Sequence, residues 1–121
     1  MLWTDLWYVF VVAHDEPQDS ETIRGVYDFA RWCCAGSNNA DVATSAVCHF
    51  YEHLPTNETV RRDLPKHMTT QEFQSMSEAF KYHLSPADFD SFVRDFNERR
   101  RQIGRTIFGG ASKQKSKGGS Q

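Results

Sequence analysis

The sequence predicts an all-α fold, a compact array of five to six short helices followed by a flexible basic C-terminal tail. Three observations lead there. Apolar residues recur at three- and four-residue spacing through most of the chain. Residues that cap helices stand in front of those runs. The one segment rich enough in Val, Tyr and Phe to suit a strand would have no second strand to pair with. Sixteen aromatic residues, nine of them Phe, are ample for a core of packed helices. A length of 121 residues fits a single domain with a modest core, assigned to residues 1–103, with 104–121 as the tail.

Residues 1–13 are apolar nearly all round, with Leu2, Trp3, Leu6, Trp7, Phe10 and Val11 among them. They are read as a buried helix. If they were not buried internally, Trp3, Trp7 and Phe10 would form an anchor patch for a partner protein or a second copy of the chain. A polar connection, His14 to Asp19 with Pro17, leads into a helix over about 20–34 that places Ile23, Val26, Tyr27, Ala30 and Cys33 or Cys34 on one face. Gly36 ends it, and Asn38 or Asn39 caps a third helix over about 40–54. That helix presents Ala43, Ala46, Val47, Phe50 and Leu54, and Pro55 stops it.

Thr56 then caps a short fourth helix carrying Val60 and Leu64, closed by Pro65. Thr69-Thr70-Gln71-Glu72 is a capping box, in which the Thr hydroxyl accepts from an orphan N–H and the Glu reaches back. Phe73, Met76, Phe80 and Leu84 follow on one face. Ser85 and Pro86 occupy N-cap and N1 of a last helix with Phe89, Phe92, Val93, Phe96 and Ile103. Past Ile103, Gly104, Gly109 and Gly110 break the pattern, and Ser, Lys, Gln and Gly follow.

The net charge of −2 conceals an asymmetry. Residues 1–96 carry seven Lys or Arg against fifteen Asp or Glu, a balance of −8, while residues 97–121 carry seven against one, a balance of +6. Arg99, Arg100, Arg101, Arg105, Lys113, Lys115 and Lys117 could follow a phosphate backbone, or serve as a solvated end. Base stacking would have only Phe108 to draw on. No apolar run approaches the roughly 20 residues of a spanning helix. The N-terminus lacks a basic n-region and a small-residue cleavage site, so a cytoplasmic protein without a membrane segment is expected. Cys33, Cys34 and Cys48 form neither a disulfide framework nor a C-x-x-C zinc pattern, and are read as buried and inert.

One segment could carry chemistry. His49-Phe50-Tyr51-Glu52-His53 spells H-x-x-E-H, in which two imidazoles one helical turn apart hold zinc and the carboxylate serves as base. His49 and His53 are the candidate metal ligands, with His67, Glu72, Glu78 or His83 as the types able to supply a third. Against this, a continuous helix through the segment would point Glu52 away from Phe50, towards solvent. His53 in a last helical turn would serve the exposed carbonyls. No nucleotide-binding or serine-hydrolase motif is present, and no cofactor is called for.

The string Phe50-Tyr51-Glu52-His53-Leu54-Pro55-Thr56, with Val60-Arg61, Leu64-Pro65 and Phe80-Lys81-Tyr82-His83-Leu84, resembles small all-helical bacterial proteins of uncharacterised function over residues 45–96. The resemblance rests on packing and turn residues. It implies an α-helical fold and a cytoplasmic setting, and it supplies no activity, cofactor or catalytic residue. The expected role is a small non-enzymatic protein-interaction or regulatory module. A nucleic-acid-associated protein using the tail and a His-based metal enzyme are the alternatives.

Overall fold

A computed structural model describes the backbone of residues 2–35 and 39–117, and the side chains of residues 3–35 and 39–105. Among these residues there are seven α-helices, two short 3-10 helices and no strand. The fold is therefore all-α, as the sequence predicts, although the helices are more finely divided than the expected five to six. They are α1 (Leu2–Val12), α2 (Ser20–Cys33), α3 (Ala40–His49), α4 (Glu58–Asp63), α5 (Thr70–Ser75), α6 (Ser77–Lys81) and α7 (Pro86–Lys117). The 3-10 helices Tyr51–Thr56 and Leu64–Lys66 bracket α4. No helix among the described residues is long and apolar enough to cross a membrane.

Side-chain caps start most helices, as short polar residues do when they satisfy orphan N–H groups. Asp19 accepts from the Thr22 amide at 3.1 Å, Asn39 from Val42 at 2.9 Å, Thr69 from Glu72 at 3.1 Å and Ser85 from Asp88 at 3.1 Å. The cap of α4 is Asn57, which accepts from Val60 at 3.0 Å, rather than Thr56, whose hydroxyl donates to the His53 carbonyl at 2.6 Å. Gly36 and Asn38 lie outside the described residues.

Three boundaries differ from the sequence expectation, each for a local reason. The third helix ends at His49 instead of residue 54. Pro55 has no N–H to give the Tyr51 carbonyl and disfavours helical geometry at Leu54. Phe50 turns out of the helix at φ −124°, ψ −67°, and the chain continues as a tighter 3-10 helix with Pro55 inside it. The run over 69–84 breaks at Met76 (φ −101°, ψ 12°). There the Ser75 hydroxyl donates to the Glu72 carbonyl at 2.7 Å and the Ser77 hydroxyl to Gln74 at 2.8 Å, so side chains occupy helix carbonyls. The last helix, expected to stop at Ile103, runs to Lys117. Glycine costs a helix about 1 kcal/mol per residue and does not bar it sterically as proline does. No proline follows Pro86, and the backbone of residues 104–117 continues α7.

One contiguous core holds the array together. Phe50, fully buried, lies at its first centre, with ring centroids 5.0 Å from Phe10, 5.5 Å from Tyr27, 5.7 Å from Trp3 and 5.2 Å from Tyr51. Phe73 and Phe96 stack at 3.8 Å in a second centre with Phe80 and Phe92. Arg100 pins α7 by donating to the Pro65 carbonyl at 2.9 Å.

This packing corrects the N-terminal anchor patch. Trp3 is 7% exposed and Phe10 is fully buried, while Trp7 is half-buried against Phe10 and Phe50. Trp3 packs against Phe29 and Phe50, and Phe10 against Tyr27 and Phe50, while Trp7 keeps part of its surface exposed. The exposed face of α1 carries Tyr8, Val9 and Val12 instead.

Candidate functional site

The end of α3 separates the two histidines of the H-x-x-E-H segment. On a continuous helix His49 and His53 would share a face. With Phe50 turned out of the helix, they part. His49 stays exposed on α3, where its Nδ1 donates to the Ser45 carbonyl at 3.0 Å. His53 stacks its ring on His83 at 4.6 Å. Glu52 also departs from expectation. Its side chain is only 12% exposed, and Oε1 lies 3.7 Å from Nε2 of His83, on the strand of contacts between the 3-10 helix and α6. Among the described residues no group of three or more His, Cys, Asp or Glu is disposed to hold a metal ion. The structure thus does not bring His49 and His53 into one ligand set.

Cys48 and Glu52 meet, which the sequence reading did not anticipate. Burial pushes the Cys48 thiol up, and the Glu52 carboxylate it contacts adds to the rise. A nucleophilic cysteine needs its thiolate favoured, and both influences here oppose it. Burial raises the Cys33 and Cys34 thiols as well. Burial, followed by the neighbouring His83, holds His53 below its ordinary range.

A second polar cluster lies deeper. Asp63, at the end of α4, accepts from His67 Nε2 at 2.8 Å and pairs with Lys66 Nζ at 3.2 Å. Burial alone would raise this carboxyl, but the hydrogen bonds from His67 and Lys66 outweigh it and hold it at about 2. His14 is buried on the other side. Its Nδ1 donates to the Phe10 carbonyl at 2.7 Å, and Nε2 stands 3.6 Å from Asp63. His67 stacks on Tyr27 at 5.0 Å, and burial, with Asp63 nearby, drives the Tyr27 hydroxyl well above its usual range. Among the described residues, His14 Nε2 and the Tyr27 hydroxyl are the buried side-chain atoms without a hydrogen-bond partner. Arg31 closes this side with a forked pair to Glu72, at 2.8 and 3.2 Å, and a further bond to the His67 carbonyl. Glu72 therefore faces α2 and does not complete the capping box. None of three surface cavities, at α4–α7, α1–α3 and α1–α2, is lined by His14, Tyr27, Asp63 or His67. Imidazoles around a carboxylate can relay protons, but here the arrangement joins α1, α2, α4 and α5 inside the core. Asp63 and His67 meet across the Leu64–Lys66 3-10 helix, a local contact, whereas His14 approaches from 49 residues away.

The basic residues are dispersed. Arg99 lines a groove of about 450 Å³ with Arg61 and Arg62, but Glu58 and Asp95 line it too. Arg62 pairs with Glu58 at 3.2 Å, and Arg61 lies 3.9 Å from Asp95. Arg100 holds the Pro65 carbonyl and Arg101 pairs with Glu98. Arg105 is exposed. The side chains of Lys113, Lys115 and Lys117, and of Ile107 and Phe108, lie outside the described residues.

The remaining feature is apolar. Helices α1, α2 and α3 leave a groove of about 440 Å³ between them, lined by Trp3, Phe29, Trp32, Cys33 and Val42, with Thr4, Ser45 and His49 at its polar edge. Trp32 is 59% exposed and its ring stacks on Phe29 at 6.1 Å. The groove forms only where three helices meet, which the spacing along any one helix does not show. No protein family, curated protein or solved structure matches the chain.

Proposed function

We propose that this protein is a small non-enzymatic interaction module, and that the groove between α1, α2 and α3 receives an apolar segment of a protein partner. The observation that carries this reading is the exposed Trp32 ring at the mouth of an aromatic-walled cleft. Tryptophan, with a large rigid surface and one polar N–H, is over-represented among residues that dominate binding energy. Apolar grooves between helices receive amphipathic segments in several recognition modes. A cytoplasmic setting accords with three unpaired cysteines.

The test is capture of partners by tagged full-length protein from its own cells, beside Trp32→Ala. A partner set retained by the wild type and lost by the variant, with far-UV circular dichroism unchanged, is the expected result. Capture that ignores the substitution would move the binding surface elsewhere.

Nucleic-acid association through α7 is the alternative, and exposed Arg99 and Arg105 support it. It is the weaker reading because Arg100 and Arg101 are engaged within the protein. A salt-sensitive shift of labelled DNA that disappears in Arg99→Glu/Arg105→Glu would favour it over the groove.

A further inference from the structure

We propose that His53 and His83, stacked beside the single carboxylate of Glu52, form an acid-operated joint. Two protons on the pair release the turn between α6 and α7 from the Tyr51–Thr56 3-10 helix, while the core stays folded.

The joint brings together two distant pieces of chain. His53 belongs to the 3-10 helix, and His83 to the turn that links α6 to α7. Their rings lie 4.6 Å apart and 27° from parallel. The largely buried Glu52 places Oε1 3.7 Å from His83 Nε2. Every neighbouring element adds to the surroundings of the pair. Trp7 of α1 lies with its ring 5.9 Å from that of His53. From α3, His49 stands within electrostatic reach of His53, and Cys48 hydrogen-bonds Glu52. On α6, Glu78 and Lys81 pair with each other at 3.3 Å. On α4, Arg62 pairs with Glu58 and Arg61 faces Asp95, in the groove beside Pro55 and Thr56. Among the described residues these rings join no group able to hold a metal ion.

Three imidazoles thus share one carboxylate. A singly protonated pair keeps its stack, because Glu52 balances one imidazolium. The second proton enters a ring stacked at 4.6 Å on the first, with that carboxylate already taken, and like charges so close repel. Burial and His83 already hold His53 below its ordinary range. Neutral His53 is the form the fold favours, so the closed joint is at full strength above 6.5 and weakens as pH falls through the folded value.

Packing decides what moves. Phe80 before the turn and Phe92 beyond it are buried, and they hold α6 and α7 in the core. Tyr82 is exposed, and the turn's backbone bonds are local, from Tyr82 to the Ala79 carbonyl at 3.2 Å and from Leu84 to Lys81 at 3.1 Å. Release of His83 therefore frees a few residues and leaves both aromatic centres in place. Local opening of such weakly held segments costs less than global unfolding.

The test is amide hydrogen exchange of the full-length protein followed by NMR, each rate divided by its intrinsic value at that pH, with imidazole carbon shifts reporting protonation. At about pH 5 the Tyr82 and Leu84 amides should exchange about tenfold or more faster than at about pH 7.5, while those of Tyr27 and Phe50 stay unchanged. His53→Phe keeps a ring and removes the charge, so the turn should stay protected at both pH values. His83→Phe should behave alike, and serves if the first variant does not fold. Glu52→Gln removes the balancing charge and should move the opening towards neutral pH. Equal protection of the wild-type turn at both pH values would overturn the inference, and so would an acid response that survives in the Phe variants. A Glu52→Gln transition at or below the wild-type pH would do the same. Loss of Tyr27 and Phe50 protection together with the turn would assign the acid effect to global unfolding and end the proposal.

Discussion

At Asp63 a carboxylate with 6% of its side chain exposed is bonded by His67 and Lys66 and faced by His14. Removing one partner of a buried charge pair leaves the others desolvated and unpaired, which costs several kcal/mol. Asp63→Asn keeps the shape and removes the charge, and should lower stability by about 2–4 kcal/mol at neutral pH. Its pH signature is specific. The folded carboxyl titrates at about 2 against an ordinary 3.8. A depressed acid contributes stability that is full above the unfolded value and lost as pH falls through the folded one. Urea denaturation should therefore show the gap between wild type and Asp63→Asn closing between about pH 4 and pH 2. His53 works the opposite chemistry at milder pH. Burial and His83 depress it below 6.5, so the fold favours the neutral ring. Its contribution is complete above 6.5 and declines as pH drops through its folded value. His53→Gln should flatten the fall in stability as pH drops below 6.5, and an unchanged slope would assign that fall to another group.

Helix α2 shows what an element gains and loses by single positions. Gly25 sits mid-helix and exposed, and a Cβ there would meet nothing within 4 Å. Gly25→Ala should stabilise by about 0.5–1 kcal/mol and raise Tm by a few degrees, through a less free unfolded chain. Arg31, near the other end, ties α2 to α5 and to the turn at His67 through its planar fork. Lysine carries the charge without the fork, so Arg31→Lys should lose about 1–2 kcal/mol in thermal or urea melts. A loss as large as that of Arg31→Ala would mean that the fork contributes everything. Elements are also where the sequence was most and least readable. Asn39, Thr69 and Ser85 announced their helices because capping is a local bond between a side chain and the amide three residues on. Phe50 and Leu54 were recognisable as core residues. The break at Met76 was hidden, since serine hydroxyls competing for carbonyls leave no mark in hydrophobic spacing. Glu52 was misplaced for a related reason. A helical wheel presumes a continuous helix, and once Phe50 leaves the helix every later angle on that wheel is void. The His14–Asp63 approach and the Trp32 groove depend on which helices become neighbours, information that no local window contains.

Two aromatic centres make up the core of the whole molecule, and their coupling decides how it unfolds. Trp3, Trp7, Phe10, Tyr27 and Phe50 surround the junction of α1, α2 and α3. Phe73, Phe80, Phe92 and Phe96 fill the space between α5, α6 and α7. Leu54, Leu64 and Met68 are buried in the same contiguous core, and His67 stacks on Tyr27 while bonding Asp63. Coupling through buried residues of this kind favours one cooperative transition. All three tryptophans lie in the first 32 residues, so their fluorescence follows the first centre, whereas far-UV circular dichroism follows every helix. Phe50→Ala and Phe96→Ala should each cost about 3–5 kcal/mol, as deletion of a buried ring does. A domain whose total stability is about 5–15 kcal/mol would be left marginal by either. In both variants the tryptophan and far-UV midpoints should fall together. Were Phe96→Ala to lower the far-UV midpoint while the tryptophan midpoint stayed at its wild-type value, the two centres would be separate folding units, and the Tyr27–His67–Asp63 contacts would join them without coupling them.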